Sequence, residues 1–291
     1  MLVITGATGR LGSRIVQKVL ERVPAQTVGV SVRDPAAARD LADRGVRVRA
    51  GDFLDPTSLG HAFEGASRVL VVSAAIRGDG AVAANLAAID AARAAGAERV
   101  LYTSHQAASP TSSFLPQRTH AATEDHLQRL DLPFTALRNG FYVSTLEHYL
   151  GAAVAAGRLE LPEDGPFSWT HHDDLAEVAA AALVDGARLD GVTAPLTAPD
   201  LLDLADVAEA ASAALGRAVE RVVVPDDEWT ASAVARGMPP AAAEFTLGMF
   251  RAAREGEFAV TDPTLERVLG RPAHRTRAAI ADIVTTPIIP G

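Results

Sequence analysis

The chain opens MLVITGATGRLGSRIVQKVL, and this stretch constrains the fold more than any later one. Residues 2–5 form an apolar run long enough for a buried strand. Glycines follow at positions 6, 9 and 12, in the pattern G-x-x-G-x-x-G. Ile15, Val19 and Leu20 then recur on one face of a helix expected over residues 11–22. Strand, glycine turn and helix in this order serve a physical purpose. Gly6 permits a tight turn, Gly9 lets the backbone approach a pyrophosphate, and Gly12 lets the helix lie close to the sheet. The helix N-terminus adds unpaired N–H groups and a partial positive charge, both suited to phosphate oxygens. The competing reading is a strand–turn–helix that binds nothing. The placement of the glycines between a strand and an amphipathic helix argues against it.

The first half of the chain repeats the alternation. Strands are expected at residues 27–32, 46–50, 68–73, 99–103 and 133–138, and helices at 35–44, 56–64, 81–95 and 117–130. The run VLVVS inside the fourth strand suits a strand covered on both faces. Such alternation, with right-handed crossovers, implies an α/β fold: a Rossmann-type doubly wound parallel sheet. After about residue 139 helices dominate, at 145–156, 174–185, 201–215, 227–235, 241–254 and 276–284. Short strands are expected at 158–161, 192–196 and 220–224. We therefore expect residues 1–140 to form an NAD(P)-binding Rossmann domain, with a return segment at about 168–198. Residues 141–167 and 199–291 are expected to form a smaller, mainly helical substrate-binding lobe.

The end of the second strand bears on the cofactor. A site for NAD tends to carry Asp or Glu there, for the ribose hydroxyls. This chain has SVRDP, with Arg33 where the strand runs out. The planar guanidinium of arginine suits a 2′-phosphate, and Arg10 in the glycine turn is placed to assist. Asp34, directly before Pro35, reads as the start of a helix. The alternative for Arg33 is a solvated surface charge. The residues favour NADPH over NADH.

Composition excludes several classes. Lys and Arg total 27 against 36 Asp and Glu, a net charge of −9 with no basic cluster, so we expect no nucleic-acid partner. The absence of cysteine removes disulfides, thiol nucleophiles and cysteine metal sites. No apolar run approaches the roughly 18 residues of a membrane span, and the first strand leaves no room for a signal peptide. A cytoplasmic protein is expected, working on a small molecule. The alanine-rich helix at 81–95 is suited to close packing, and a homodimer is one use for it.

The motifs GATGRLG, SVRDP, AGDFLDPTSL, VLVVSA, VLYTS and FTALRNGFY occur in this order and spacing. Together they resemble the NmrA-like branch of the atypical short-chain dehydrogenases, in particular its small NADPH-quinone oxidoreductases. The resemblance runs over nearly the whole chain and is strongest up to about residue 149. It implies that Gly6, Thr8, Gly9, Leu11 and Gly12 surround the phosphates and that Arg33 holds the 2′-phosphate. It places Asp52 and Phe53 near the adenine, and Ser73 and Ala74 along the cofactor. Thr103 and Ser104 would flank the nicotinamide half, and Asn139, Gly140 and Tyr142 would form the loop beside the nicotinamide and the substrate.

Short-chain dehydrogenases usually pair a tyrosine with a lysine four residues on. None of Tyr102, Tyr142 and Tyr149 has one, and the single lysine, Lys18, sits within the first helix. In the stretch QRTHAATED, residues 117–125, His120 stands where related branches carry a lysine or a histidine. Glu124 lies one helical turn on, where a carboxylate would raise the histidine's pKa and keep it charged as a proton donor. His120 is thus a candidate general acid or substrate hydrogen-bond donor, with Tyr142 and Asn139 beside it. The alternative is a surface histidine. Asp125 replaces the lysine that follows the T-E pair in the nearest branch, so solvent is a third candidate proton source.

WTHHDDLAE, residues 169–177, gathers two histidines and two aspartates. A metal is conceivable, but an aspartate helix cap at Asp173 or Asp174 is the better reading, and no metal site is expected. The expected activity is NADPH-dependent reduction of a quinone-like or conjugated carbonyl acceptor by hydride transfer. Two alternatives stand beside it: a non-catalytic NADP(H)-binding redox sensor that acts on a protein partner, and a tailoring reductase in a biosynthetic pathway.

Overall fold

A computed structural model describes residues 1–76, 78, 80–185 and 189–286. Its first half is β1 (Leu2–Thr5), α1 (Arg10–Leu20), β2 (Val28–Val32), α2 (Arg39–Asp43), β3 (Arg47–Ala50), α3 (Pro56–Phe63), β4 (Arg68–Val71), α4 (Gly80–Ala94), β5 (Arg99–His105), α5 (Leu115–Arg129) and β6 (Phe134–Asn139). The second half holds β7 (Phe141–Tyr142), α6 (Glu147–Ala156), β8 (Arg158–Leu161), β9 (Trp169–Thr170), α7 (His172–Asp185), β10 (Gly191–Val192), α8 (Leu204–Leu215), β11 (Glu220–Val223), α9 (Asp226–Ala235), α10 (Pro240–Arg254), α11 (Thr264–Leu269) and α12 (Thr276–Thr285).

Seven strands form one sheet in the order β10-β6-β5-β4-β1-β2-β3, with every pair parallel. Strand alternation decides which residues meet which helices. Ile4, Val30, Leu70, Leu101 and Leu137 face α1, α7 and α11, where they pack with Ile15, Val19, Val178 and Leu265. Their neighbours Val3, Val69, Val71, Val100, Tyr102 and Ala136 face α3, α4 and α5, packing with Leu59, Phe63, Ile89 and Leu127. A third apolar cluster gathers Phe114, Phe141, Phe167, Trp169, Phe250 and Phe258 with residues of α6 and α8. The sheet order reverses between β4 and β1, which opens a crevice at the carboxyl ends of the strands.

Four details depart from the sequence expectations. The strand expected at 192–196 shrinks to two residues, because Pro195 has no N–H to give. Leu196 N donates to the Arg138 carbonyl in its place, at 2.8 Å, and Thr193 Oγ1 accepts from Arg138 N at 3.0 Å. The helix expected from residue 201 starts at Leu204, because Asp203 and Asp206 form a reciprocal capping box there. The fifth strand runs on to His105, which pairs in register with Asn139. Finally, β7 and β9 form a small parallel pair. Gly140 makes room for it: a Cβ at that position would stand 2.1 Å from Thr170 Oγ1.

Candidate active site

The glycine turn is built by close approach. Gly6 takes φ +62°, and Gly9 N donates to the Gly6 carbonyl at 2.9 Å. A Cβ on Gly12 would lie 2.1 Å from that same carbonyl oxygen, so only glycine lets α1 start where it does. No side chain caps the N-terminus of α1, and its first turn has no acidic residue. Its free N–H groups and dipole are therefore left for an anion. Thr8 and Leu11 flank the turn.

The other cofactor candidates stand along the same edge of the sheet. Arg33 follows β2 directly; it is exposed and makes no hydrogen bond or ion pair among the described residues. Asp52 and Phe53 follow β3, with Asp52 held by Ser58 Oγ on its N–H. Ser73 and Ala74 follow β4. The hydroxyl of Thr103 accepts from Ser73 N at 2.8 Å, and Asn85 Oδ1 accepts from Ala74 N at 2.9 Å. Arg10 turns the other way and makes a forked pair with Glu147, at 2.7 and 2.8 Å. Beside that pair lies a cavity of about 500 Å³, bounded by Arg10, Arg14, Ser144, His171, His172 and Ile283.

His120 corrects one expectation. Glu124 does not reach it. The carboxylate is instead buried between Ser104 Oγ at 2.6 Å and Arg138, which donates through Nε at 2.9 Å and Nη2 at 2.6 Å. A guanidinium offers two parallel charged donors, and it outcompetes a neutral imidazole for that carboxylate. Left without a countercharge, His120 is pushed down to about 4 by burial, the reverse of the expected rise. Its Nδ1 meets the Tyr102 hydroxyl at 2.8 Å. The ring is neutral near pH 7 and is not a charged proton store.

His105 is the last residue of β5. It stacks on His120 with ring centres 6.0 Å apart and planes 25° apart. Burial first, and His120 second, push it down to about 3. The edges of Phe141 and Phe258 close around it, with centroids 5.5 and 5.9 Å away. Asn139 at the end of β6 is 2% exposed and lies against the Tyr142 phenol, but neither its Nδ2 nor its Oδ1 makes a well-formed hydrogen bond. Gln117 is fully buried one helical turn before His120, and its amide lies against the His105 ring, again without a well-formed hydrogen bond. Buried amides rarely stay unsatisfied, so these two mark places where a ligand or water completes the structure. Tyr142 packs its ring on His172 at 4.5 Å, and burial raises its phenol pKa. It keeps its proton at neutral pH.

Sequence reasoning passed over Asn85, Gln117 and the partners of Tyr102. Asn85 did leave a signal. It is the one polar side chain on a helix face otherwise made of Ala81, Ala84, Ala88, Ile89 and Ala92. The residues of WTHHDDLAE disperse into other roles. The cap of α7 is His171 and not an aspartate: its Nδ1 accepts from Asp173 N at 3.3 Å and its carbonyl from Leu175 N. Asp173 pairs with Arg14, and Asp174 accepts from Arg271 and His274. No cluster of three metal-ligating side chains occurs among the described residues. Lys18 lies on the outside of α1 against Glu21, at 3.0 Å. No described helix is long and apolar enough to cross a membrane.

A model of the NmrA-like family matches residues 1–276. The chain belongs to the NmrA-like family. An NAD(P)H azoreductase from Xenophilus azovorans is 31% identical over 283 residues, covering 97% of this chain and 96% of the relative. Two solved structures superpose over nearly their whole length. One is an NADPH-dependent quinone oxidoreductase from Escherichia coli complexed with NADPH, with TM-score 0.91 and 27% identity over 97% of this chain and 99% of that one. The other is the Citrobacter sp. triphenylmethane reductase complexed with NADP(H), with TM-score 0.88 and 28% identity over 98% and 99%.

Proposed function

We propose that this protein is an NADPH-dependent oxidoreductase that reduces a flat, uncharged, conjugated acceptor of the quinone type. The observation that carries the reading is the character of the donors gathered at the ends of β5 and β6. His105 and His120 are both held neutral, and the buried amides of Gln117 and Asn139 are set against His105 and the Tyr142 phenol without well-formed hydrogen bonds. Neutral donors in an apolar setting stabilise charge as it develops on a carbonyl oxygen, and they bind a carboxylate or phosphate less well than cations would. The aromatic edges of Phe141 and Phe258 supply the apolar setting. The names of the three relatives support the conjugated part of the reading, since azo compounds, quinones and triphenylmethane dyes are all extended π-systems.

The chain's own residues fit the cofactor. The glycine turn and the uncapped α1 N-terminus would take the pyrophosphate, and the unpartnered Arg33 would take the 2′-phosphate. The Asn139 amide, set against the Tyr142 phenol, offers a donor and an acceptor that suit a carboxamide. When bound, the nicotinamide supplies the hydride. His120 then acts as a neutral hydrogen-bond donor to the acceptor oxygen, a role that an imidazole of lowered pKa fills without becoming a cation. Tyr142 keeps its proton and orients the loop. The reduced product is an aromatic oxyanion, which water can protonate. The lysine of the usual dehydrogenase pair is therefore dispensable.

The test is NADPH consumption against a panel of uncharged quinones, with NADH in parallel and with a His120→Gln variant. Saturable turnover preferring NADPH, and lowered in the variant, is expected. Tight NADPH binding with no turnover on any quinone would instead favour the redox-sensor reading.

A further inference from the structure

Tyr102 and Asn85 lie outside the site as read from the sequence, yet they join its two walls. The chain of bonds starts at Ala74 N, beside the candidate cofactor path, which donates to Asn85 Oδ1 at 2.9 Å. That bond fixes the amide orientation, so Asn85 Nδ2 is the end that faces the Tyr102 hydroxyl, at 3.1 Å. An amide nitrogen only donates. The phenol oxygen therefore accepts from Asn85, and of the two acceptors beside its own proton, His120 Nδ1 at 2.8 Å is a stronger base than the Thr123 hydroxyl and takes it. Tyr102 is fully buried and Asn85 is 1% exposed, so neither has water to choose instead. An Nδ1 that accepts leaves the proton of a neutral imidazole on Nε2.

We propose that Asn85 and Tyr102 are positioning residues that lock His120 as its Nε2–H tautomer and tie that choice to the backbone beside the cofactor. His105 is set the same way by a separate bond, since its Nδ1 accepts from Ala107 N at 3.3 Å. His120 thus keeps an Nε2–H that its own framework does not use, beside a stacked His105 that the Gln117 amide already engages. The device presents a donor without charge. It identifies the ligand's matching feature as a neutral oxygen acceptor on a planar molecule that reaches the stacked pair.

Tyr102 is not a proton source in this arrangement. Burial raises its pKa, so passing its proton along would leave a buried phenolate. Its part is to hold the ring, and a donor held in place contributes to rate without moving.

The link to turnover rests on the reading of His120 as facing the acceptor. The tautomer itself does not, so the two can fail separately. The first readout is ¹⁵N–¹H correlation of the histidine rings in the uniformly labelled protein, with His120 assigned from the His120→Gln variant. The expected pattern is a pyridine-like Nδ1 and a pyrrole-like Nε2. An Nδ1–H tautomer in the unmodified protein overturns the proposal without any variant having to fold. The second readout uses Asn85→Asp, close to isosteric, which can accept but not donate. Tyr102 should then give its proton to Asp, and His120 should switch to Nδ1–H. Turnover on a quinone should fall about tenfold, the scale of one net hydrogen bond, with NADPH affinity unchanged. Tyr102→Phe should release the tautomer to a mixture. A switched tautomer with undiminished turnover would support the relay and overturn the role of His120 in the reaction. Turnover lost while the tautomer stays Nε2–H would overturn the relay and leave Asn85 a packing residue.

Discussion

Acidification should cost this protein stability in a window set by His120. The folded chain lowers this histidine from 6.5 to about 4 by burial. Between those values the unfolded chain binds a proton that the folded chain refuses. Stability therefore rises with pH across the window, is fully present above about 6.5, and is lost as the pH falls toward 4. Going from about pH 7.5 to about pH 5 should remove about 2 kcal/mol on account of His120 alone. His105 and His172 shift the same way, to about 3 and about 4, so the whole protein should lose more than this. The share of His120 is isolated by difference. Urea unfolding of the unmodified protein and of His120→Gln, across pH 4.5–8, should show the variant losing about 2 kcal/mol less over that span. Glutamine keeps an acceptor for Tyr102 but cannot titrate. Parallel curves would refute the reasoning, because they would mean that His120 charges as easily in the fold as outside it. The same neutral ring should leave turnover on an uncharged acceptor flat between about pH 6 and 8. An acid limb near 6.5 that vanishes in the variant would mean that the imidazolium is the active form.

Two further outcomes follow from particular side chains. Arg33→Ala removes an exposed, unpartnered cation at the end of β2. It should weaken NADPH binding roughly tenfold, the size of an exposed charge-assisted contact, and leave NADH binding unchanged, as read by fluorescence titration. Glu124→Gln takes the charge from a carboxylate whose side chain is 5% exposed and leaves Arg138, at 29%, facing an amide. A loss of about 2–3 kcal/mol is expected in urea unfolding, toward the low end for a broken buried pair because Arg138 keeps some solvent. A change under about 0.5 kcal/mol would show that the pair does not hold α5 to β6.

The sheet was legible because its signals are local. Each strand of the first half is a short apolar run closed by turn residues, and the glycine turn constrains its neighbours by sterics alone. The exposed place of Arg33 at the end of β2 and the surface position of Lys18 were legible for the same reason, since each depends on its place along one element. The environment of His120 was not. Spacing put Glu124 one turn away on the same helix, but Arg138 comes from β6 and Tyr102 from β5, and the fold decided which partner each group took. Gln117 and Asn139 could be read as polar residues, but not as buried ones set against His105 and Tyr142. The same limit explains α7. Its cap fell to His171 because Asp174 was claimed by Arg271 and His274, which lie about a hundred residues further along the chain.

The central claim is that this site transfers hydride from NADPH to a neutral conjugated acceptor, with uncharged donors in place of a lysine. Single-turnover stopped flow tests it most directly, following nicotinamide absorbance after mixing the NADPH-loaded protein with an uncharged quinone. The account predicts NADPH oxidation that saturates with quinone, slows when the transferred hydrogen is deuterium, and keeps its rate between about pH 6 and 8. NADPH that binds stoichiometrically yet stays reduced in the presence of every quinone would contradict it.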